Sequence, residues 1–120
     1  MNLKTTLWSL FLLLTFPSIG QHSIARQWNE EVLQAIRNDF ARPTVHARNL
    51  FHSSIAMYDI WATYEQTADT YLLGRTVGEY TNNFEGVSIP DDIEAAQKEA
   101  ISYAIYRLIK HRFKNSAEVD

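Results

Sequence analysis

Residues 44–64 read TVHARNLFHSSIAMYDIWATY. Leu50-Phe51, Ile55-Ala56-Met57-Tyr58 and Ile60-Trp61-Ala62 put apolar side chains nearly all round a helix. A helix of that kind is buried on most of its sides. Thr44, directly after Pro43, is the expected N-cap, and the helix is expected to run to about Tyr64. A short domain does not usually cover one helix so completely, so further polypeptide is expected to pack here.

A second helix is expected before this one, from about Ser23 to Phe40. Ile24, Trp28, Val32, Ala35 and Ile36 form one stripe at helical spacing, and Arg26, Glu30, Gln34 and Arg37 occupy the opposite face. Pro43 restricts the residue before it and so ends the helix near Ala41-Arg42. A third helix is expected from about Pro90 to Phe113. Pro90-Asp91-Asp92 is an acidic start that suits the positive end of the helix dipole, and Lys110, Arg112 and Lys114 suit the far end. Ile93, Ala96, Ala100, Ala104 and Leu108 make a stripe of mostly small residues that lets another helix approach closely. Between the last two helices, Glu65 to Ile89 is a long connection holding Gly74, Gly78 and Gly86, with room for a short extended piece. The expected class is therefore all-α: a helical-bundle portion with about three long helices.

Ahead of these helices lies an address. Lys4 gives one positive charge, Thr5–Phe16 is mostly apolar, and Pro17 is followed by the small residues Ser18 and Gly20 around Ile19. This is the plan of a secretory signal peptide over residues 1–20, and its apolar run is shorter than the ~20 residues a membrane span requires. Cleavage is expected after Gly20, with Ala25 as the second choice, giving a periplasmic or extracellular chain with no membrane attachment. Residues 21–120 then form one helical segment.

Composition narrows function further. The 120 residues are 46% hydrophobic and 21% charged, with a net charge of −3, so the chain is neither disordered overall nor basic enough to bind nucleic acid. With no cysteine, disulfides, thiolate metal sites and cysteine nucleophiles are excluded. No Gly-rich phosphate loop, nucleophile elbow, EF-hand or paired-histidine metal motif occurs.

The polar residues of the helices are the remaining candidates. Arg48, His52 and Asp59 fall on one narrow stripe of the central helix, where burial would demand pairing. They read either as a structural network tying that helix to its neighbours or as a polar line aimed at a site. Arg107 and His111 are one turn apart on the small-residue stripe of the last helix; either Asp59 meets them or both reach out to solvent at the helix end. His46, near Asn49 and Ser53, reads as a satisfied core histidine. A metal site built from His46, His52 and His111 is the weakest reading. The aromatics Trp28, Tyr58, Trp61, Tyr64, Tyr103 and Tyr106 read as helix packing.

Three stretches together resemble a known family: Arg26-Gln27-Trp28-Asn29 with Ala35-Ile36-Arg37; Ala47-Arg48-Asn49-Leu50-Phe51-His52 running into Ile55–Trp61; and Glu99–Leu108. Over roughly Ala25 to Phe113 the chain resembles the N-terminal helices of vanadium-dependent haloperoxidase-like proteins, in the phosphatidic acid phosphatase type 2 and haloperoxidase superfamily. The resemblance implies a helical-bundle parent enzyme holding vanadate or phosphate among Lys, Arg and His. Such enzymes oxidise halides with hydrogen peroxide, or hydrolyse phosphomonoesters. The family's catalytic motifs do not carry over. A Lys seven residues before an Arg-Pro pair fails at Arg42-Pro43, because that position is Ala35. Pro-Ser-Gly-His has only Pro17-Ser18 as a partial match, and no Ser-Arg pair exists. In the family these motifs lie on later helices, which would follow Asp120, and Asn115–Glu118 stands where a proline and glycine turn is expected.

The expectation is thus an N-terminal scaffold portion of an exported haloperoxidase-like enzyme. It has no catalytic, cofactor-binding or metal residue of its own and no activity alone. Its partners would be the downstream helices of the same parent, which would supply the vanadate site. The competing expectation is a small exported helical interaction module that covers its apolar faces in a homo-oligomer or with a partner protein.

Overall fold

The computed structural model describes residues 23–116. The expected signal peptide, residues 1–20, and the expected cut after Gly20 lie outside those residues. Three helices and one hairpin follow in order: α1 (Ile24–Arg37), α2 (Pro43–Thr63), β1 (Thr76–Val77), β2 (Tyr80–Thr81) and α3 (Ile93–Arg112). The chain is all-α apart from that hairpin, whose register pairs Thr76 with Thr81 and Val77 with Tyr80.

Each helix begins where a side chain or a proline can replace a missing backbone partner. The Ser23 hydroxyl accepts from the Arg26 N–H at 3.2 Å and starts α1. The Asp92 carboxylate accepts from the Ala95 N–H at 2.9 Å and starts α3, so Pro90 and Asp91 lie just outside it. α2 starts one residue earlier than the expected Thr44 cap. Pro43 occupies its first turn and Arg42 its N-cap, because a proline there forfeits only an N–H that would have no helical partner. α1 stops at Arg37 rather than Phe40: the Asn38 N–H closes the last turn on the Gln34 carbonyl, and Asp39 turns back to bind Arg42 at 2.6 Å.

Val32, Met57, Ile101 and Ile105 are the centre of the core, with Trp28, Ile36, Ile60 and Leu108 packed round them. The stripe expected on α1 therefore faces inward as a unit. On α3 the inward line is Ile101 and Ile105, while Ala96, Ala100 and Ala104 are only half-buried beside it. Burial follows side-chain volume: an isoleucine withdrawn from water contributes about 1.5–3 kcal/mol, far more than an alanine. The Trp28 indole N–H donates to the Ser102 hydroxyl at 3.0 Å, and that hydroxyl donates to the Lys98 carbonyl at 2.7 Å, tying α1 to α3. α3 runs against α2: the Gln97 amide reaches the Trp61 carbonyl at 3.4 Å near one end, and Arg112 meets His52 near the other.

α2 is not buried on most sides, as its sequence predicts. Its enclosed residues are Asn49, Ser53, Met57, Asp59 and Ala62, whereas Leu50, Phe51, Tyr58 and Trp61 are exposed. The helix turns polar side chains inward over its first half and leaves large apolar ones in solvent. Two neighbouring helices cover one face of α2 and the connection after it reaches Tyr58 and Asp59, which leaves Leu50, Phe51, Tyr58 and Trp61 exposed.

Candidate functional site

Asp59 is the one buried carboxylate of α2, only 2% exposed. Its Oδ1 accepts from the Tyr71 N–H at 2.5 Å, and its Oδ2 accepts from the N–H groups of Leu72 and Leu73 at 2.8 and 2.9 Å. Successive amides pointing at one carboxylate form a small anion nest, and the charge strengthens each bond. Around it the connection is built rather than slack. The Tyr58 hydroxyl donates to the Asp69 carbonyl at 3.0 Å, and Arg75 pairs with Asp69 at 2.8 Å. The Asn82 side-chain oxygen accepts from the N–H groups of both Gly74 and Phe84, at 3.1 and 3.0 Å. Gly78 opens the two-residue hairpin loop with φ +63°, the left-handed conformation such loops require.

The expected polar stripe of α2 is therefore split. Asp59 is wholly engaged by the connecting loop, and neither Arg107 nor His111 meets it. Both of those residues are exposed. They lie off the inward line of α3, because the burial of Ile101 and Ile105 turns the face carrying Tyr103 and Arg107 outward. The Arg107 guanidinium donates to the Tyr103 hydroxyl at 3.0 Å and lies 5.6 Å over its ring.

Arg48 and His52 do come together, one helical turn apart, and the third member is Arg112. Arginine can only donate, so the Nδ1 atom of His52 accepts from the Arg112 Nη2, and the imidazole is neutral with its proton on Nε2. Partial burial, then the positive charges of Arg112 and Arg48, hold the His52 pKa below its ordinary value. This corner is cationic, half-open and short of acid. The Asp39 carboxyl, in contrast, has the Arg42 guanidinium beside it, which holds it below the usual carboxylate range.

His46 donates from Nε2 to the Phe40 carbonyl at 2.8 Å, fastening the α1–α2 turn. Its Nδ1 and the Oδ1 of Asn49, one turn on, are both enclosed without a hydrogen-bond partner among the described residues. A buried acceptor left without a donor costs about 1–3 kcal/mol. The expectation of a satisfied core histidine is therefore met only at Nε2: His46 is half-buried and its Nδ1 is bare, since only the packed structure says which donors are near.

Among the described residues no cluster of His, Asp and Glu could hold a metal ion, so His46, His52 and His111 do not form one. None of the described helices is long and apolar enough to cross a membrane. Two clefts are open grooves: one of about 500 Å³ beside Trp28 and Tyr106, and one of about 980 Å³ between the start of α1 and Trp61 and Gln97. Neither encloses a nucleophile with a base. Comparison with family models, curated proteins and solved structures finds no match to the chain.

Proposed function

We propose that this chain is the N-terminal helical scaffold of an exported haloperoxidase-like enzyme, supporting later helices that carry the chemistry. The reading draws on the resemblance across α1, α2 and α3, and the observation that carries it is the inverted polarity of α2. Asn49 is 5% exposed with a bare acceptor, while Phe51 is 54% exposed and Leu50, Tyr58 and Trp61 lie open beside it. An additional layer of polypeptide against α2 would cover the aromatic row. That cover is not available from the three described helices.

The chain's own residues do not fit a vanadate pocket. Such an anion would require several cationic donors converging in an enclosed site. Arg48 and Arg112 are exposed, and the Nδ1 atom of His52 is already occupied by Arg112. The parent's chemistry, peroxide-dependent halide oxidation or phosphomonoester hydrolysis, would then belong wholly to its later helices, with vanadate held there. Here α2 and α3 would set the floor on which those helices rest.

The test is a longer reading frame. Protein extended past Asp120 is assayed for vanadate-dependent bromide oxidation and phosphomonoester hydrolysis, and hydrogen exchange in α2 is compared with that of the 120-residue chain. The expected result is activity in the longer protein alone, with slowed exchange over Leu50–Trp61. An extension lacking the Lys-x6-Arg-Pro and Pro-Ser-Gly-His motifs, or one that leaves α2 exchange unchanged, would sink the reading. A second reading, a helical interaction module working as a homo-oligomer, is favoured by a separate observation: the outward face of α3 carries Tyr103 and Tyr106, 62% and 50% exposed.

A further inference from the structure

Along α3 the residues Asp92, Ala96, Glu99, Tyr103, Tyr106 and Lys110 recur at alternating spacings of four and three. Residues so spaced form one seam along a helix, here a pair of tyrosines flanked by an acid and a base. The seam is not the core face of α3. Ile101 and Ile105 point inward to Val32 and Met57, whereas Glu99, Tyr103, Tyr106 and Lys110 are all exposed.

Charge is segregated along the same helix. Residues 91–99 carry Asp91, Asp92, Glu94 and Glu99 against the single Lys98, while residues 100–116 carry Arg107, Lys110, Arg112 and Lys114 and no acid. Some of this segregation complements the helix dipole. The dipole acts only within the first and last turns, however, and does not account for Glu99 or Arg107.

We propose that α3 is a self-association face, which a second copy of this chain covers with its own α3 in antiparallel orientation about a two-fold axis. The reversal is self-complementary. About the midpoint between Ala104 and Ile105, Glu99 falls opposite Lys110 of the second copy, and Tyr103 falls opposite Tyr106 of the second copy, each pair occurring twice. A parallel arrangement would set acid on acid and base on base, so the charge pattern selects the orientation. The tyrosines are already steadied for such a contact: the Lys110 ammonium lies 5.6 Å over the Tyr106 ring, as Arg107 does over Tyr103. This inference rests on the interaction reading and not on the enzyme-scaffold reading, which the longer reading frame tests separately.

The experiment is sedimentation equilibrium of the full chain across micromolar to millimolar concentration, with circular dichroism confirming helix content in each variant. The expected result is a reversible monomer–dimer equilibrium that weakens as salt rises. Lys110→Glu removes two exposed ion pairs and creates two acid–acid contacts, and is expected to weaken the dimer about 3- to 30-fold. Adding Glu99→Lys to the same chain restores the pairs with their signs exchanged and should return the affinity to within about threefold of wild type. That double variant leaves α3 with charges less suited to its dipole, so a merely structural effect of Lys110→Glu would not be rescued. If either single variant loses helix, Glu99→Gln and Lys110→Gln, each neutral, replace them. A chain that stays monomeric to millimolar concentration would overturn the proposal. So would a dimer indifferent to Lys110→Glu, or a double variant as weak as the single.

Discussion

Replacing Asp59 by alanine tests whether the buried carboxylate is what orders the long connection. The substitution strips the acceptors from three backbone N–H groups at once, those of Tyr71, Leu72 and Leu73. Hydrogen bonds to a charged partner contribute about 1.5–3 kcal/mol each, so a naive sum reaches well above 4 kcal/mol. The sum overshoots, because Tyr71 and Leu72 are exposed and their freed amides can turn to water. A loss of about 3 kcal/mol is the expected outcome for Asp59→Ala, and about 2 kcal/mol for Asp59→Asn, which keeps one acceptor and turns the other into a donor facing an N–H. Urea unfolding monitored by circular dichroism gives the global figure. Hydrogen exchange gives the local one: 3 kcal/mol corresponds to exchange about 100-fold faster at residues 71–73. A global loss below about 1 kcal/mol together with unchanged exchange at those amides would show that the loop is held by something else, and the reasoning would fail.

Other perturbations have equally definite outcomes. The neutral state of His52 sets a pH dependence: the unfolded imidazole takes up its proton as pH falls through about 6.5, while the folded one, held lower by burial and by Arg112 and Arg48, does not. The folded state then binds fewer protons, so stability falls on acidification until the folded value is passed. His52→Asn, which keeps an acceptor for Arg112, should remove that slope from urea titrations run between pH 7 and pH 5. Trp28→Phe keeps an aromatic ring but loses the indole N–H bond to Ser102 and some packed volume, which should cost about 1–3 kcal/mol, with Ser102→Ala adding little in the double variant. At Gly74, φ is +68° and an added Cβ would lie 2.8 Å from the Phe84 carbonyl oxygen, so Gly74→Ala should cost about 2 kcal/mol or more. Gly78→Ala, at a similar φ but in open space, should cost only about 1 kcal/mol by the same unfolding assay.

The helices were legible in the sequence because each is marked at its start and patterned along its length. The expected starts near Ser23 and Pro90 fall within three residues of those of α1 and α3, Pro43 separates α1 from α2, and Trp28, Val32 and Ile36 recur at the helical period. Composition was less informative about which face turns inward. On α2 an apolar count suggests burial all round, yet Ser53 is buried and Phe51 is not, since burial depends on which neighbours exist and not on the helix alone. On α3 the alanines looked like the packing line, and the isoleucines one position further along took it. The hairpin gave a weak signal, Thr76-Val77 and Tyr80-Thr81 flanking a glycine, in a stretch too short to show strand alternation. The partner of Asp59 was hidden for a different reason. Side-chain patterns suggested arginine or histidine, but the groups that bind it are backbone amides, which every residue except proline carries and which no sequence pattern marks.

Where Asp59 makes its bonds also bears on the order in which the chain can assemble. Its three bonds span only 12 to 14 residues, whereas the bonds that seat α3 span 36 residues to Trp61, 60 to His52 and 74 to Trp28. Closing a short loop sacrifices less chain entropy than closing a long one, and contacts of small separation form sooner. As α2 takes shape, its last turns can gather the following segment into a local unit before α3 has docked. The connection that looked like a loose tether then arrives at the docking step already shortened, with its far end leading straight to the Asp92 cap.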